Sequence, residues 1–323
     1  MKVEQIWKLI TCEAPLDLLA RHLMDEIWTC QALAKGAADD FGDYLRHGEQ
    51  AASRFEKDIY DIYSDMYRLL EEPAHPRKLR IKSEILDTEQ FTLVIFDALS
   101  LREVPALLEV FSELRVEVSV DYALSCVPSD TSSFAYEHFA ANGPSAIANT
   151  LRPSGWAFRH VKKRDWQPDF AADECGRVIW ALYPDDIFNL DHGAISYGHD
   201  IIAPVQGILR AILQADPVLP LVVTSDHGYI WQGDANTWGV SGDEERILAK
   251  HFKNQRCTTS ATIDEAMKLA SGTGGKAWVS DRTAAARGRF AWGGKVKGPI
   301  KLYKHGGVSL MECITPWLSV GKS

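Results

Sequence analysis

A short apolar segment that runs into an acid–imidazole pair is the feature that most constrains this fold. Residues 219–223 are rich in Leu and Val, and Thr224-Ser225-Asp226-His227-Gly228 follows them directly. Such a run is typical of a buried strand in a parallel sheet. Ligands of open α/β sheets gather at the carboxyl ends of their strands. Asp226 and His227 are therefore candidate metal ligands, although an ordinary polar turn would also explain this motif on its own.

Strand-like and helix-like segments alternate along most of the chain. The predicted strands are 92–96, 116–120, 177–183 and 219–223, and the predicted helices are 103–114, 133–140 and 197–215. Alternation at these lengths predicts an α/β fold with a mostly parallel sheet sandwiched by helices.

The first 84 residues follow a different pattern. Apolar residues step by three or four along one face, at Phe55, Ile59, Ile62, Met66 and Leu69. This spacing predicts amphipathic helices that pack on the rest of the chain or on a partner protein. The proline-containing segment 71–77 predicts a linker. We therefore predict a helical N-terminal region at 1–84 and a catalytic domain at 85–323.

Composition narrows the class of protein. The 323 residues are 46% hydrophobic and 24% charged, as in an ordinary globular protein. No apolar run is long enough to span a membrane, and the first residues lack the pattern of a secretory signal. The six cysteines are scattered without a Cys-x-x-Cys pair, which favours reduced thiols. We expect a cytoplasmic protein.

The net charge of −9 argues against nonspecific nucleic-acid binding, but the basic residues are clustered. No acidic residue occurs from 282 to 311, a stretch with seven Lys and Arg residues that include Lys304. We interpret 282–304 as a local positive field for an anionic substrate, with Lys304 as a substrate-binding candidate. A second basic segment, 159–164, is explained equally well as solvated surface.

Residues suited to metal binding or nucleophilic attack follow the predicted strands. In chain order they are Asp97, Thr131, Asp191, His192, His199, Asp226, His227, His305 and Glu312. Two divalent ions about 3.5–4 Å apart can clamp the attacking and leaving oxygens of a phosphoryl transfer. That chemistry uses carboxylates, imidazoles and a hydroxyl nucleophile. Thr131, near the start of a predicted helix, would also bring backbone N–H groups toward a phosphate.

Four motifs carry a resemblance to a known family. They are Val94-Ile95-Phe96-Asp97-Ala98-Leu99, Pro128-Ser129-Asp130-Thr131, Thr224-Ser225-Asp226-His227-Gly228 and His305-Gly306-Gly307-Val308-Ser309-Leu310-Met311-Glu312. Their order resembles the alkaline phosphatase superfamily and, more narrowly, the PglZ domain of bacterial phage-defence (BREX) systems and some signalling proteins. The resemblance covers about the last three quarters of the chain.

The resemblance implies a two-metal phosphodiesterase or phosphatase. It assigns Asp97, Asp226 and His227 to one ion, and Asp191, His199 and His305 to the other. Thr131 would be the nucleophile, and Glu312 would support His305. Zinc suits this mixture of nitrogen and oxygen ligands, with manganese as the alternative.

Several alternatives stay open at this point. His192 competes with His199, and Ser129 and Ser132 compete with Thr131. A nucleotide or oligonucleotide substrate fits the basic stretch better than a small monoester, and the implied role is antiphage defence or signalling. The alternative function is a catalytically weak scaffold that binds partner proteins of a defence system. It is motivated by the N-terminal helices and by Ser100, which stands where such domains usually carry Arg.

Overall fold

The computed structural model describes residues 8, 11–39, 41–171, 174, 176–189, 195–233, 236–253, 255–258, 263–280, 283–292 and 302–321. Helices come first along the chain. They are α1 (Pro15–His22), continued by a π-helical turn Leu23–Ile27, then α2 (Cys30–Asp39), α3 (Phe41–Ile62), α4 (Met66–Glu71) and α5 (Pro76–Arg80), continued by Ile81–Leu86. The predicted helical character of the N-terminal region is confirmed for its described part.

Strands and helices then alternate. They are β1 (Phe91–Phe96), α6 (Val104–Glu113), β2 (Ser119–Leu124), α7 (Thr131–Phe139), α8 (Pro144–Leu151), β3 (Ala157–Val161), β4 (Gly176–Ala181), α9 (Asp185–Phe188), α10 (Ala203–Gln214, preceded by the π-helical Tyr197–Ile202) and β5 (Leu221–Ser225).

The remaining elements of the described chain are three helices, the strands of two small sheets and one more strand of the main sheet. They are β6 (Ile230–Trp231), α11 (Gly242–Phe252), β7 (Cys257–Thr258), α12 (Ile263–Gly272), β8 (Ala277–Ser280), β9 (Thr283–Ala286), β10 (Tyr303–Lys304), α13 (Leu310–Cys313) and β11 (Ile314–Val320). β6 pairs with β10, and β7, β9 and β8 form a second small sheet.

The main sheet has six strands in the order β2-β11-β5-β1-β4-β3. β3, β4, β1 and β5 run parallel, and β11 is antiparallel to both of its neighbours. β1, β4 and β5 are buried along their whole length, as expected of strands covered on both faces. The predicted α/β class with a mostly parallel sheet is confirmed.

The N-terminal helices are part of the main hydrophobic core. Leu19, Phe55, Ile59 and Met66 belong to the same cluster of buried residues as Val94 and other sheet residues. Their apolar stripe is therefore covered within this chain, apart from Ile62, which is half-exposed. Among the described residues, no helix has the length and apolar character that crossing a bilayer requires.

Two strands of the main sheet were not predicted. β3 overlaps the start of the basic segment 159–164, where Arg159 pairs with Asp169 and Glu174 at the edge of the sheet. β11 begins two residues after Glu312 and lies in the interior of the sheet. The sequence does not predict β3 because its basic side chains are untypical of a buried strand. It does not predict β11 because this strand contains Pro316 and the polar residues Thr315 and Ser319.

Candidate metal centre

The register of the central strands brings two predicted ligands together. β1 and β5 are parallel neighbours, and Phe96 lies opposite Ser225. The next residue of each strand is an aspartate, so Asp97 and Asp226 emerge side by side at one end of the sheet. The two short apolar strands therefore place a pair of carboxylates at the edge where α/β proteins bind ligands.

Asp97, Asp226 and His227 form a buried group that could hold a metal ion. One ligand atom from each lies within 4.8 Å of the others. Nε2 of His227 is 3.7 Å from Oδ1 of Asp97 and 3.5 Å from Oδ2 of Asp226. These are the three residues that the sequence assigns to one ion.

Thr131 lies at the centre of this group. Its hydroxyl donates a hydrogen bond to Oδ2 of Asp226 at 2.8 Å, and it lies 3.3 Å from both Oδ1 of Asp97 and Nε2 of His227. α7 begins at Thr131, with Asp130 as its N-cap. The hydroxyl is thereby fixed on the first residue of a helix, against both carboxylates.

Thr131 differs in its contacts from the two competing serines, Ser129 in the preceding loop and Ser132 in α7. Ser129 is buried, donates to the carbonyl of Gly307 and accepts from the N–H of Gly306. Ser132 is exposed. The carboxylate of Asp130 accepts the N–H groups of Ser132 and Ser133, both at 3.0 Å. These two N–H groups therefore bind the capping carboxylate. The sequence predicts instead that backbone N–H groups near Thr131 face a phosphate.

The electrostatics of the group favour a bound cation. Burial raises the pKa of Asp97 well above its usual value, and the carboxylates of Asp226 and Asp185 raise it further. Although burial alone would lower the pKa of His227, Asp226 and Asp185 raise it overall. Carboxylates packed this closely in a buried site repel each other unless protons or a metal ion compensate them.

Backbone donors hold the ligands in place. Oδ1 of Asp226 accepts the N–H groups of Ala98 at 3.0 Å and His227 at 2.9 Å. Ala98 has a φ of 63°, so the chain adopts a left-handed conformation directly after Asp97. Nδ1 of His227 lies 2.9 Å from the carbonyl of Gly228. A proton on Nδ1 would satisfy this contact and leave Nε2 available to a metal.

A second carboxylate–imidazole pair adjoins the first group. Nε2 of His305 is 3.4 Å from Oδ1 of Asp185, and the His305 ring stacks on His227 with centroids 4.2 Å apart. Oδ1 of Asp185 and Nδ1 of His305 are buried atoms without a hydrogen-bond partner. Unsatisfied buried ligand atoms of this kind fit a site for a second ion.

Sequence reasoning missed Asp185. The N–H of Asp185 donates to the carbonyl of Asp97 at 3.1 Å, which ties this residue to the end of β1. Tyr183-Pro184-Asp185-Asp186 has the composition of a turn, but its position directly after β4 was a usable signal. β4 is the other parallel neighbour of β1, and acidic residues after β1 and β5 are already among the predicted ligands.

The remaining predicted ligands are placed differently. His199 is 79% exposed in its side chain and pairs with Asp200, so the structure does not bring it into the described group. Asp191 and His192 lie outside the described residues. Asp185 is the carboxylate that the structure places beside His305.

Glu312 supports His305 through the backbone. Oε1 of Glu312 accepts the N–H of Gly307 at 2.8 Å, and Arg256 donates to both carboxylate oxygens at 2.7 and 2.9 Å. Gly307 lies two residues after His305, so this buried ion pair fixes the loop that carries the histidine. Lys304 directly precedes His305 in β10 and is half-buried.

The interpretation of 282–304 as a positive field needs correction where the structure describes it. Arg289 is fully buried and pairs with Glu49 and Glu56. Arg287 forms a bidentate pair with Glu71. Glutamates of the N-terminal helices neutralise both arginines. These partners lie far away in sequence, so the basic stretch alone does not reveal them. The basic residues at 282, 295, 297 and 301 lie outside the described part of the chain.

The fold of this chain is similar to those of solved hydrolase structures, although no protein-family profile and no curated protein sequence matches it. One is murine ectonucleotide pyrophosphatase/phosphodiesterase 5, in an inactive form in complex with AMP, with TM-score 0.48, 12% identity and coverage of 72% of this chain and 88% of that one. Another is phosphonoacetate hydrolase from Sinorhizobium meliloti 1021 in complex with phosphonoformate, with TM-score 0.44, 9% identity and coverage of 71% and 89%. At this level of similarity, the activity has to be argued from the site itself.

Proposed function

We propose that this protein is a metal-dependent phosphoric ester hydrolase of the alkaline phosphatase type, with Thr131 as its nucleophile. The observation that carries the proposal is the hydroxyl of Thr131 within 3.3 Å of all three members of a buried Asp97–Asp226–His227 group. A threonine hydroxyl is a weak nucleophile unless a base or a metal activates it. Here the candidate activating groups surround it.

The donor set fits two divalent ions. Asp97, Asp226 and His227 would hold one, and Asp185 with His305 would contribute to the other. The sequence resemblance predicts Asp191, His199 and His305 for this second ion; His199 is exposed, and Asp191 lies outside the described residues. Nitrogen and carboxylate oxygen ligands in this mixture favour zinc, with manganese as the alternative. Bound ions would supply charge stabilisation for the phosphoryl group and lower the pKa of the threonine hydroxyl.

The residues of the chain divide the remaining work. Thr131 attacks phosphorus, and its proton leaves along the existing hydrogen bond to Oδ2 of Asp226. The ester bond to the leaving group breaks, and the leaving alkoxide takes a proton from water. The resulting hydroxide hydrolyses the phosphothreonine ester, and Thr131 recovers its proton from Asp226. The N-cap of α7 holds the hydroxyl in one position, which lowers the entropic cost of the attack.

A diester with a nucleotide component is the proposed substrate class. A diester carries one negative charge, whereas a monoester carries up to two. Arg287 and Arg289 are neutralised by glutamates, so the described basic stretch offers less positive charge than a dianion needs. Lys304, beside His305, is the proposed phosphate contact. We also propose that the protein belongs to the PglZ group and acts in antiphage defence. Only the sequence motifs support these two parts of the proposal.

Substitution of Thr131 tests the proposal directly. With bis(p-nitrophenyl) phosphate and Zn²⁺ or Mn²⁺, Thr131→Ala should reduce turnover by about 10³-fold or more, because the nucleophile is lost. Thr131→Ser should keep part of the activity, and the matched control Ser132→Ala should keep all of it. Turnover unchanged by Thr131→Ala would exclude this nucleophile.

Metal content separates the enzyme from the scaffold alternative. The enzyme should retain close to two equivalents of metal after supplementation and dialysis, and Asp226→Asn should lose metal. The scaffold would bind none. The N-terminal helices are one of the two features that motivate the scaffold hypothesis. Their apolar stripe is largely buried in the core of this chain, which weakens that hypothesis.

A further inference from the structure

A cavity of about 350 Å³ lies beside the loop that leads to Thr131. The N-terminal region contributes Lys78, the loop contributes Cys126, Val127 and Pro128, and the aromatic walls include Tyr136 and Trp278. This volume is within the range of pockets that hold small organic ligands. None of its lining residues belongs to the metal centre.

Lys78 is the unusual residue of this cavity. It is only 6% exposed, and among the described residues its Nζ has no hydrogen bond and no ion pair, although Nζ itself is not fully shielded from solvent. An ammonium group without a partner is costly in a buried site. Burial accordingly lowers the pKa of Lys78. A cation in this position gains stability if an anion enters the cavity.

The negative or ionisable groups near Lys78 do not neutralise it. Burial raises the pKa of the Cys126 thiol to about 12 and raises that of Cys313 as well, so both are uncharged at neutral pH. Glu71 is held by Arg287 at 2.6 and 2.7 Å.

At the opposite side of the cavity, Glu137 pairs with Lys82 at 3.1 Å. The carboxylates that line the cavity therefore already have cationic partners. Glu72 also acts on Lys78, but it is exposed and does not line the cavity. Within the cavity lining, the positive charge without a partner is that of Lys78.

We propose that this cavity binds an anion, either free or as the phosphate or carboxylate group of a small organic molecule, with Lys78 as its counter-charge. Tyr136, which is 67% exposed, and Trp278 offer ring surfaces to an organic portion. The inference rests on the cavity alone and does not require the proposed hydrolase activity. Because Cys126-Val127-Pro128 leads into Thr131, a ligand here would also contact the nucleophile loop.

Chemical labelling of the full wild-type chain tests the site without any mutation. Trace acetylation with acetic anhydride, followed by peptide mass spectrometry, measures the fraction of each lysine that is a neutral amine. An anion that raises the pKa of Lys78 by about one unit should slow its labelling about tenfold. The exposed Lys82, four residues away, is the internal control and should be unaffected.

The probes distinguish the two sources of the anion. Inorganic phosphate represents the free ion, and thymidine 5′-monophosphate represents an organic phosphate. Protection of Lys78 by either supports the site, and stronger protection by the nucleotide assigns a role to the rings. The protein is first freed of metal with EDTA and then dialysed into chelator-free buffer. Phosphate bound to metal at Asp97 and Asp226 then cannot account for the result, and EDTA, itself an organic carboxylate, cannot compete for the cavity. Failure of both probes to protect Lys78 at millimolar concentration would overturn the proposal.

A pair of variants provides an independent check. The nucleotide should raise the Tm of wild type and of the control variant Lys250→Met, which changes an exposed lysine of α11 outside the cavity lining. It should not raise the Tm of Lys78→Met, because ligand binding stabilises the folded state by mass action. Lys78→Met alone should unfold at an unchanged or higher temperature, since it removes a buried charge without a partner. An equal rise in Tm for Lys78→Met would contradict the assignment of Lys78.

Discussion

At the scale of single residues, the candidate site depends on positions where the backbone leaves no room for a side chain. A Cβ atom on Gly228 would lie 2.1 Å from the carbonyl oxygen of Met311. The N–H of Gly228 also donates to the carbonyl of Glu312 at 2.9 Å. The glycine after Asp226-His227 therefore joins one half of the metal centre to the segment that supports His305.

Gly228→Ala should destabilise the protein by about 3 kcal/mol, because a backbone carbonyl cannot yield as a flexible side chain would. Urea unfolding measures the loss, and metal binding should weaken in parallel as His227 shifts. Gly239→Ala is the matched control, since its Cβ meets no atom within 4 Å. Equal stability of the two variants would show that the close approach is not real.

His138 should make stability fall in mild acid. Burial lowers its pKa from 6.5 to about 3, so the unfolded chain binds a proton in a range where the folded protein does not. Stability from this residue is present above pH 6.5 and is lost progressively as the pH falls toward 3.

Between about pH 7.5 and pH 5.5, wild type should lose about 1 kcal/mol more than His138→Gln in urea unfolding. The comparison isolates His138 from the other histidines. Identical pH dependence of the two proteins would mean that His138 is already accessible to protons in the folded state.

At the scale of elements, α3 supplies buried carboxylates to arginines of the segment 85–323. Glu49 pairs with Arg102 and Arg289, and Glu56 pairs with Arg289 at 3.0 Å. Glu56 also accepts the N–H of Leu310, the first residue of α13, at 2.9 Å. α3 therefore braces the segment that contains Glu312.

Glu56→Gln should cost about 3 kcal/mol in unfolding free energy, because it removes one partner of a fully buried ion pair. Asp61→Asn on the same helix is the control. Its partner Lys57 is exposed, and such surface pairs contribute little. A cost for Glu56→Gln no larger than that of the control would show that Glu49 alone compensates Arg289.

Local sequence patterns predicted the elements whose own residues show their secondary structure. β1 and β5 are short apolar runs, and each is followed by an aspartate that was predicted as a ligand. The resemblance to the alkaline phosphatase superfamily grouped Asp97, Asp226 and His227 with Thr131. The structure brings the three ligands together, as expected where parallel strands end at the same edge.

Long-range pairing could not be predicted in the same way. Arg289 and Glu49 are 240 residues apart, so the sequence alone favours a surface field at 282–304, whereas the structure buries Arg289 and pairs Arg287 with Glu71. Asp185 was missed because its role depends on β4 lying next to β1, and the strand order is a property of the sheet rather than of any segment. β3 was missed because its charged side chains lie at an edge, where solvent and nearby acids can accommodate them.

At the scale of the whole molecule, the predicted boundary between 1–84 and 85–323 crosses a shared core. Residues of α1, α3 and α4 are buried in one cluster with residues of the main sheet. The helices also hold the carboxylate partners of two fully buried arginines, Arg102 and Arg289.

A fragment containing only 85–323 should therefore fail to fold. It would expose the apolar surface under the helices and leave both arginines without Glu49 and Glu56. Circular dichroism during heating should show no cooperative transition, whereas the full chain should show one. A sharply melting, monomeric fragment would establish 85–323 as an independent domain.

The position of β11 has a consequence for synthesis. β11 follows every other strand along the chain, yet it lies between β2 and β5. While a ribosome makes this protein, β2 and β5 emerge long before the strand that joins them, and their facing edges stay unpaired. Because translation adds about 5–20 residues per second, that interval lasts several seconds. Unpaired strand edges invite association with other chains. The nascent protein is therefore exposed to aggregation, and in need of a chaperone, until β11 appears.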